Sequence, residues 1–185
     1  LAETLEIQQL EKQTKHDVKA IEYYLRAYLK KHDLPNESAV HLGLTSEDVN
    51  ALAYGLMIQQ GKEVLETELS ALLRQLADFA QRTIAVVMLA RTHGQLAVPT
   101  TVGKEMAVFA QRLLTELELL RTEKIEGKLT GAVGNLNAHT CAFSNESALS
   151  LSEEFVSSLG LQPNVVTTQI LPPESYTRFF SSLVR

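Results

Sequence analysis

The sequence predicts an all-α fold, an elongated helical bundle. Apolar residues recur at helical spacing over long stretches, Gly and Pro are sparse at 9 and 5, and Trp is absent. Such a composition favours helices over a sandwich of short strands. With 45% hydrophobic residues in 185, the chain is large enough to bury one sizeable core.

The first predicted helix covers the first 32 residues. Its buried stripe is predicted from apolar side chains at helical spacing, which are Val18, Ile21, Leu25 and Leu29. Residues 32–36 should end the helix, because Pro35 disfavours helical backbone at the residue before it.

A second, long helix is predicted to begin near Ser46 and to fade near Arg82. Thr45 and Asp48 have the spacing of a capping box, in which a hydroxyl lies three residues ahead of a carboxylate. Leucines at helical spacing continue its apolar stripe through residue 76.

Residues 83–90 form an apolar, partly β-branched run without helical period, which predicts a short buried extended segment. A third helix is predicted after Pro99 and should end at Gly127. A tight Gly-rich turn at residues 131–134 follows. A short helix over about residues 147–159 should stop at Gly160, and a last helix should begin near Glu174.

Charge and composition exclude several classes of function. The net charge is −5 and the chain has no run of Lys or Arg, which argues against nucleic-acid binding. We expect no membrane segment, because no apolar run is long enough. The single Cys141 cannot form an internal disulfide. The chain also lacks a P-loop, a dinucleotide-binding Gly motif and a Glu-x-x-His metal pair.

One polar cluster lies within the first predicted helix, and a second stands at the start of the next. Lys15, His16 and Asp17 combine a cation, an imidazole and a carboxylate, although solvated helix charge is the simpler interpretation. Thr45 and Ser46 stand at a helix N-terminus, where the N–H groups and the helix dipole favour an anion. Plain helix capping by either hydroxyl is the alternative, and both interpretations can hold together.

His93 is the candidate for acid–base chemistry. It follows the apolar run in Arg91-Thr92-His93-Gly94, and a histidine presented on a loop by a rigid segment is well placed to transfer protons. A histidine hydrogen-bonded only to backbone is an equally good interpretation of the residues alone. His139 is interpreted as structural.

The order of motifs carries a resemblance to a known family. The series runs from Thr14-Lys15-His16-Asp17 through His41 with Thr45-Ser46-Glu47-Asp48 and Arg91-Thr92-His93-Gly94-Gln95. It continues with Gly103-Lys104-Glu105-Met106, Gly131-Ala132-Val133-Gly134-Asn135 and Thr167-Thr168-Gln169. This series resembles the adenylosuccinate lyases of the fumarase/aspartase superfamily. The resemblance implies a helical bundle of that type, incomplete here, with residues 1–44 from the first domain and residues 45–185 from the central one.

By resemblance, the reaction is elimination of fumarate from adenylosuccinate, giving AMP, and from the succinyl-aminoimidazole carboxamide ribotide of purine biosynthesis. His93 would be the general acid. The implied substrate-binding residues are Lys15, His16, Asp17, His41, Thr45, Ser46, Thr92 and Gln169. No metal or other cofactor is implied.

The resemblance also implies a cytoplasmic homotetramer with shared active sites. The Gly-Ser-Ser-x-Met-Pro loop that carries the family's catalytic base is absent from the printed sequence. We therefore expect an internal fragment that is inactive alone. The alternatives are another lyase of the superfamily, such as fumarase or argininosuccinate lyase, and a helical scaffold without catalysis.

Overall fold

The computed structural model describes residues 2–184, and most of them are helical. The helices are α1 (Ala2–Thr14), α2 (Asp17–Lys31), α3 (Ser46–Arg82), α4 (Val102–Thr122), α5 (Asn137–Ala142), α6 (Asn145–Ser158) and α7 (Glu174–Ser182). A short 3-10 helix spans Glu37–Ala39. Strands β1 (Val87–Thr92) and β2 (Gln95–Thr101) form an antiparallel hairpin, while β3 (Glu126–Gly127) and β4 (Gln162–Pro163) pair in parallel. Within residues 2–184, no helix is long and apolar enough to cross a membrane.

The described chain packs as two compact units. The first comprises residues 2–57 and 125–173, and the second comprises residues 58–124 and 174–184. Helix α3 contributes its first turns to the first unit and the rest to the second. The predicted domain boundary at residue 44 stays a prediction, since these units reflect packing within this chain alone.

Several helix boundaries agree with the sequence prediction. Helix α3 begins at Ser46 and ends at Arg82, as expected. The Asp48 carboxylate accepts the Thr45 N–H at 2.9 Å, which is the acidic half of the predicted capping box. Gly160 follows the Leu159 C-cap of α6 with φ +78°, the left-handed conformation expected of a glycine after a helix. Helix α7 begins at Glu174.

The prediction of one continuous helix over the first 32 residues was wrong. Lys15 has φ +56°, and His16 is extended and caps α2 through its side chain. An imidazole is not among the usual N-capping groups, so no local signal predicted this break. The predicted stripe was also misplaced, because Ile21 and Leu25 are exposed whereas Glu22 is buried.

The prediction for residues 83–90 was wrong about burial. A strand forms from Val87 onward, but its apolar side chains are exposed, including Val87 at 72% and Leu89 at 47%. An apolar, β-branched run favours a strand whose side chains are packed against other residues. The described residues of this chain leave these side chains uncovered.

The third predicted helix is α4, and it ends at Thr122, five residues before the predicted end at Gly127. Glu123 is its extended C-cap, and the buried Lys62 ammonium donates to the carbonyls of Arg121 and Glu123 at 3.2 and 2.6 Å. A cation at a helix C-terminus satisfies terminal carbonyls and suits the negative end of the dipole. A side chain 59 residues away in the sequence therefore stabilises this helix end.

Candidate active site

The break between α1 and α2 places the first polar cluster at a helix N-terminus. The His16 Nδ1 accepts the Lys19 N–H at 3.4 Å, and Asp17 Oδ1 accepts the Val18 N–H at 2.7 Å. The same Nδ1 lies 3.1 Å from Asp17 Oδ1. The other ring nitrogen, Nε2, lies 3.3 Å from Ser46 Oγ, within hydrogen-bond distance. Two motifs 30 residues apart therefore meet within the first unit.

His41 is held by an acid that the sequence analysis did not identify. Its Nδ1 lies 3.1 Å from Glu22 Oε2, and Glu22 is only 5% exposed. The same carboxylate contacts Lys19 at 2.8 Å and Arg26 at 3.1 Å. The hydrogen bond from Lys19, with the nearby charges of His41 and Arg26, holds the pKa of Glu22 below its ordinary value despite burial. Glu22 therefore stays ionised and orients the His41 ring.

The loop from His41 to Thr45 passes over His139. Both His41 and Gly43 have positive φ, at +72° and +75°. A methyl group at Gly43 would lie 3.2 Å from His139 Nε2, so the ring packs directly against this loop. His139 is buried on the short helix α5, which the sequence prediction missed. The structural role predicted for it stays a prediction.

His93 is on a two-residue hairpin turn. His93 and Gly94 have φ +52° and +74°, and the flanking Thr92 and Gln95 are paired across the hairpin. Two successive residues of positive φ indicate a type I′ turn, whose twist matches that of the strands. The His93 side chain is exposed at the tip, in the second unit, and Thr92 lies beside it.

Gln169 lies in the loop between β4 and α7 and is exposed. Two residues earlier, the Thr167 hydroxyl bonds the Thr130 hydroxyl at 2.6 Å. Gly134, with φ +83°, approaches the Thr167 carbonyl so closely that a Cβ there would lie 2.0 Å from its oxygen. The predicted tight turn forms, with the Gly134 N–H donating to the Gly131 carbonyl at 3.4 Å, and it also lies against the Thr167 backbone.

The first unit therefore brings together the His16 and Ser46 side chains, with His41 and Thr45 in the loop leading to α3. Hydroxyls, imidazoles and a helix N-terminus form a surface suited to an anionic ligand. His93 and Thr92 belong to the second unit. The sequence analysis missed Glu22 and Lys128, both buried charges. Glu22 lies four residues after the buried Val18, a spacing that marks it as facing inward.

The fold of this chain is also found in solved structures of other proteins. Over 97% of its length the chain superposes on the crystal structure of a fumarate lyase from Mesorhizobium sp. BNC1, with a TM-score of 0.80 and 20% identity. The crystal structure of β-carboxy-cis,cis-muconate cycloisomerase from Acinetobacter calcoaceticus sp. ADP1 gives the same TM-score, at 22% identity over 96% of this chain. The chain spans 41% of each of these structures. The fold is that of the fumarase/aspartase type, here incomplete, as the sequence predicted.

A family model described as lyase matches residues 1–185. The chain belongs to this lyase family. It is 42% identical over its full length to adenylosuccinate lyase from Haemophilus influenzae, and 41% identical over 97% of its length to adenylosuccinate lyase from Escherichia coli K12. The chain spans about 40% of the length of these relatives.

Proposed function

We propose that the full-length protein, a chain of the relatives' length that contains this sequence, eliminates fumarate from adenylosuccinate to give AMP. We propose the same elimination from the succinyl-aminoimidazole carboxamide ribotide. The observation that carries the proposal is the 42% identity to an adenylosuccinate lyase across the whole chain. The meeting of His16 with Ser46 at the start of α3 supports it.

In the proposed reaction, a base removes a proton from the succinyl Cβ and the C–N bond breaks. The nitrogen takes its proton from a general acid, and AMP and fumarate are the products. We assign the acid to His93, because histidine is the side chain most often used as a general acid and the exposed turn presents the ring to a ligand. The base belongs to a serine-bearing loop that the printed sequence does not contain.

We assign substrate binding to eight residues. Thr45 and Ser46 would hold an anionic group of the substrate at the helix N-terminus. The residues Lys15, His16, Asp17 and His41 would line the same pocket, and Thr92 and Gln169 would contact the substrate elsewhere. The fixed contacts of His16 and His41 support these roles, because ordered side chains lose less entropy when a ligand binds.

We also propose that the protein is a homotetramer with shared active sites in the cytoplasm. Large apolar side chains are exposed on α3 and on the hairpin, among them Tyr54 at 59%, Met57 at 65% and Val64 at 63%. Apolar surface of this extent is typical of chains that pack against further helices. Light scattering on the full-length protein should give four times the subunit mass, and a stable monomer would contradict the assembly.

The proposed activity is tested with full-length protein by following AMP and fumarate release chromatographically. His93→Ala should lower kcat by about a hundredfold or more, the usual cost of a lost general acid. His32→Ala is the matched control, because His32 is exposed and its ring lies against Tyr28 at the end of α2, with the centroids 4.4 Å apart. Its kcat should be unchanged.

Two results would reject this proposal. Conversion of malate or argininosuccinate by the wild-type protein, without conversion of adenylosuccinate, would reassign the substrate. Unchanged turnover in the His93→Ala variant would remove His93 from the mechanism.

A further inference from the structure

A buried carboxylate lies at the centre of the first unit. Asp48 has no solvent exposure, and Lys128 Nζ donates to its Oδ1 from an equally buried position. The same carboxylate accepts three backbone N–H groups at 2.9 to 3.2 Å, from Thr45, Thr130 and Gly131. One side chain thus fixes the start of α3 to a segment more than 80 residues away.

This ion pair is a poor source of stability by itself. Removing two charges from water is costly, and well-packed neutral residues of similar volume often stabilise a fold as well. The particular property of the pair is geometric, because a carboxylate can accept several N–H groups at once. Asp48 uses this capacity on backbone groups from two separate segments.

The Lys128 charge has a second consequence for the start of α3. Asp48 is three residues from Thr45, so a bare carboxylate there would repel an anion bound at the same helix end. The Lys128 ammonium neutralises that charge and leaves both carboxylate oxygens able to accept N–H groups. Asp48 therefore holds the start of α3 in place, and the Lys128 charge cancels the negative charge that Asp48 would otherwise add there.

We propose that Asp48 and Lys128 are positioning residues, which hold Thr45 and Ser46 in the geometry that binds the anionic group of the substrate. This inference rests on the proposed function, which assigns substrate binding to Thr45 and Ser46. Neither positioning residue touches the substrate. Their effect is on binding, through the helix start that Asp48 holds.

The test uses the full-length protein with the double substitution Asp48→Asn and Lys128→Met. Both side chains keep nearly the same volume and no charge is left buried, so the protein should fold, with a melting temperature lowered by the lost backbone hydrogen bond. The asparagine cannot accept at both terminal atoms, so at least one backbone N–H loses its partner. KM for adenylosuccinate should rise about tenfold, as for one lost charge-assisted hydrogen bond, while kcat changes little.

Product inhibition gives an independent readout of the same binding defect. The inhibition constant of either AMP or fumarate should rise in parallel with KM. The product whose inhibition constant rises carries the anionic group that Thr45 and Ser46 hold. Wild-type inhibition constants for both products would overturn the proposal. The single variant Lys128→Met, if it folds, should raise KM further than the double variant, because it leaves the Asp48 charge uncompensated.

Lys62→Met provides the matched control. Lys62 is also a buried lysine, but its ammonium binds carbonyl groups at the end of α4 in the second unit. This variant should lower the melting temperature without raising KM. An equal rise of KM in Lys62→Met and in the double variant would show general loosening and overturn the proposal, as would a wild-type KM in the double variant. Absence of adenylosuccinate turnover in the wild type would instead reject the proposed function.

Discussion

Replacing Glu22 with Gln removes the buried negative charge around which His41 is oriented. Glu22 is 5% exposed, and its carboxylate oxygens lie 2.8 Å from Lys19 Nζ, 3.1 Å from His41 Nδ1 and 3.1 Å from an Arg26 nitrogen. The glutamine keeps the size of the side chain and one accepting oxygen. The change therefore tests the charge rather than the packing.

The magnitude follows from the exposure of the partners. Breaking a buried ion pair costs about 3–5 kcal/mol when the remaining charge is left buried. Here the Lys19 and Arg26 side chains are 43% and 38% exposed, so water solvates both cations after the substitution. We expect Glu22→Gln to reduce the local free energy of unfolding of α2 by about 2 kcal/mol at pH 7.

The pH dependence has a definite sign. The pKa of Glu22 in the folded protein is lowered from its ordinary value of 4.5, mainly by the hydrogen bond from Lys19. Its stabilising contribution is therefore complete above pH 4.5 and is lost as the pH falls through the lower folded pKa. The stabilities of wild type and Glu22→Gln should converge at acidic pH.

Amide hydrogen exchange of peptides from α2 measures this local stability in the full-length protein. At pH 7, a loss of about 2 kcal/mol lowers the protection of α2 amides roughly 30-fold. Glu153→Gln on the exposed face of α6 is the control and should leave α2 protection unchanged. Equal protection in Glu22→Gln and wild type at pH 7, or a difference that grows on acidification, would refute the reasoning.

Four further substitutions test packing and helix capping, each by the melting temperature of the full-length protein. Gly134→Ala should cost about 3 kcal/mol or more, because its Cβ would overlap the Thr167 carbonyl oxygen. Gly131→Ala has a similar φ of +79° but open space around its Cβ, so it should cost only about 1–2 kcal/mol, and equal losses would contradict this difference. Lys62→Met should cost about 1–3 kcal/mol by leaving terminal carbonyls of α4 without their donor, and a wild-type melting temperature would oppose this role. Leu161→Ala should cost about 2–5 kcal/mol, since its side chain is 3% exposed and packs against two glycines; a loss below about 1 kcal/mol would count against that packing.

Local signals were sufficient where one short segment determines the structure. The start of α3 follows from the Thr45 and Asp48 spacing, and the end of α6 follows from Gly160. The motif order was also enough to predict the lyase family, since it depends on residue identity alone. In each case the deciding atoms are within a few residues of one another, or need no coordinates at all.

The tertiary structure decided the features that depend on distant partners. Lys62 stabilises the end of α4, and the Glu22 carboxylate faces His41 only because α2 and the following loop fold together. Asp48 had a local signal as a cap, whereas its pairing with Lys128 across 80 residues had none. Helix propensity and the spacing of apolar residues depend only on the residues within one segment. A buried charge is stable only where its partners meet it, so its position is determined by the folded chain.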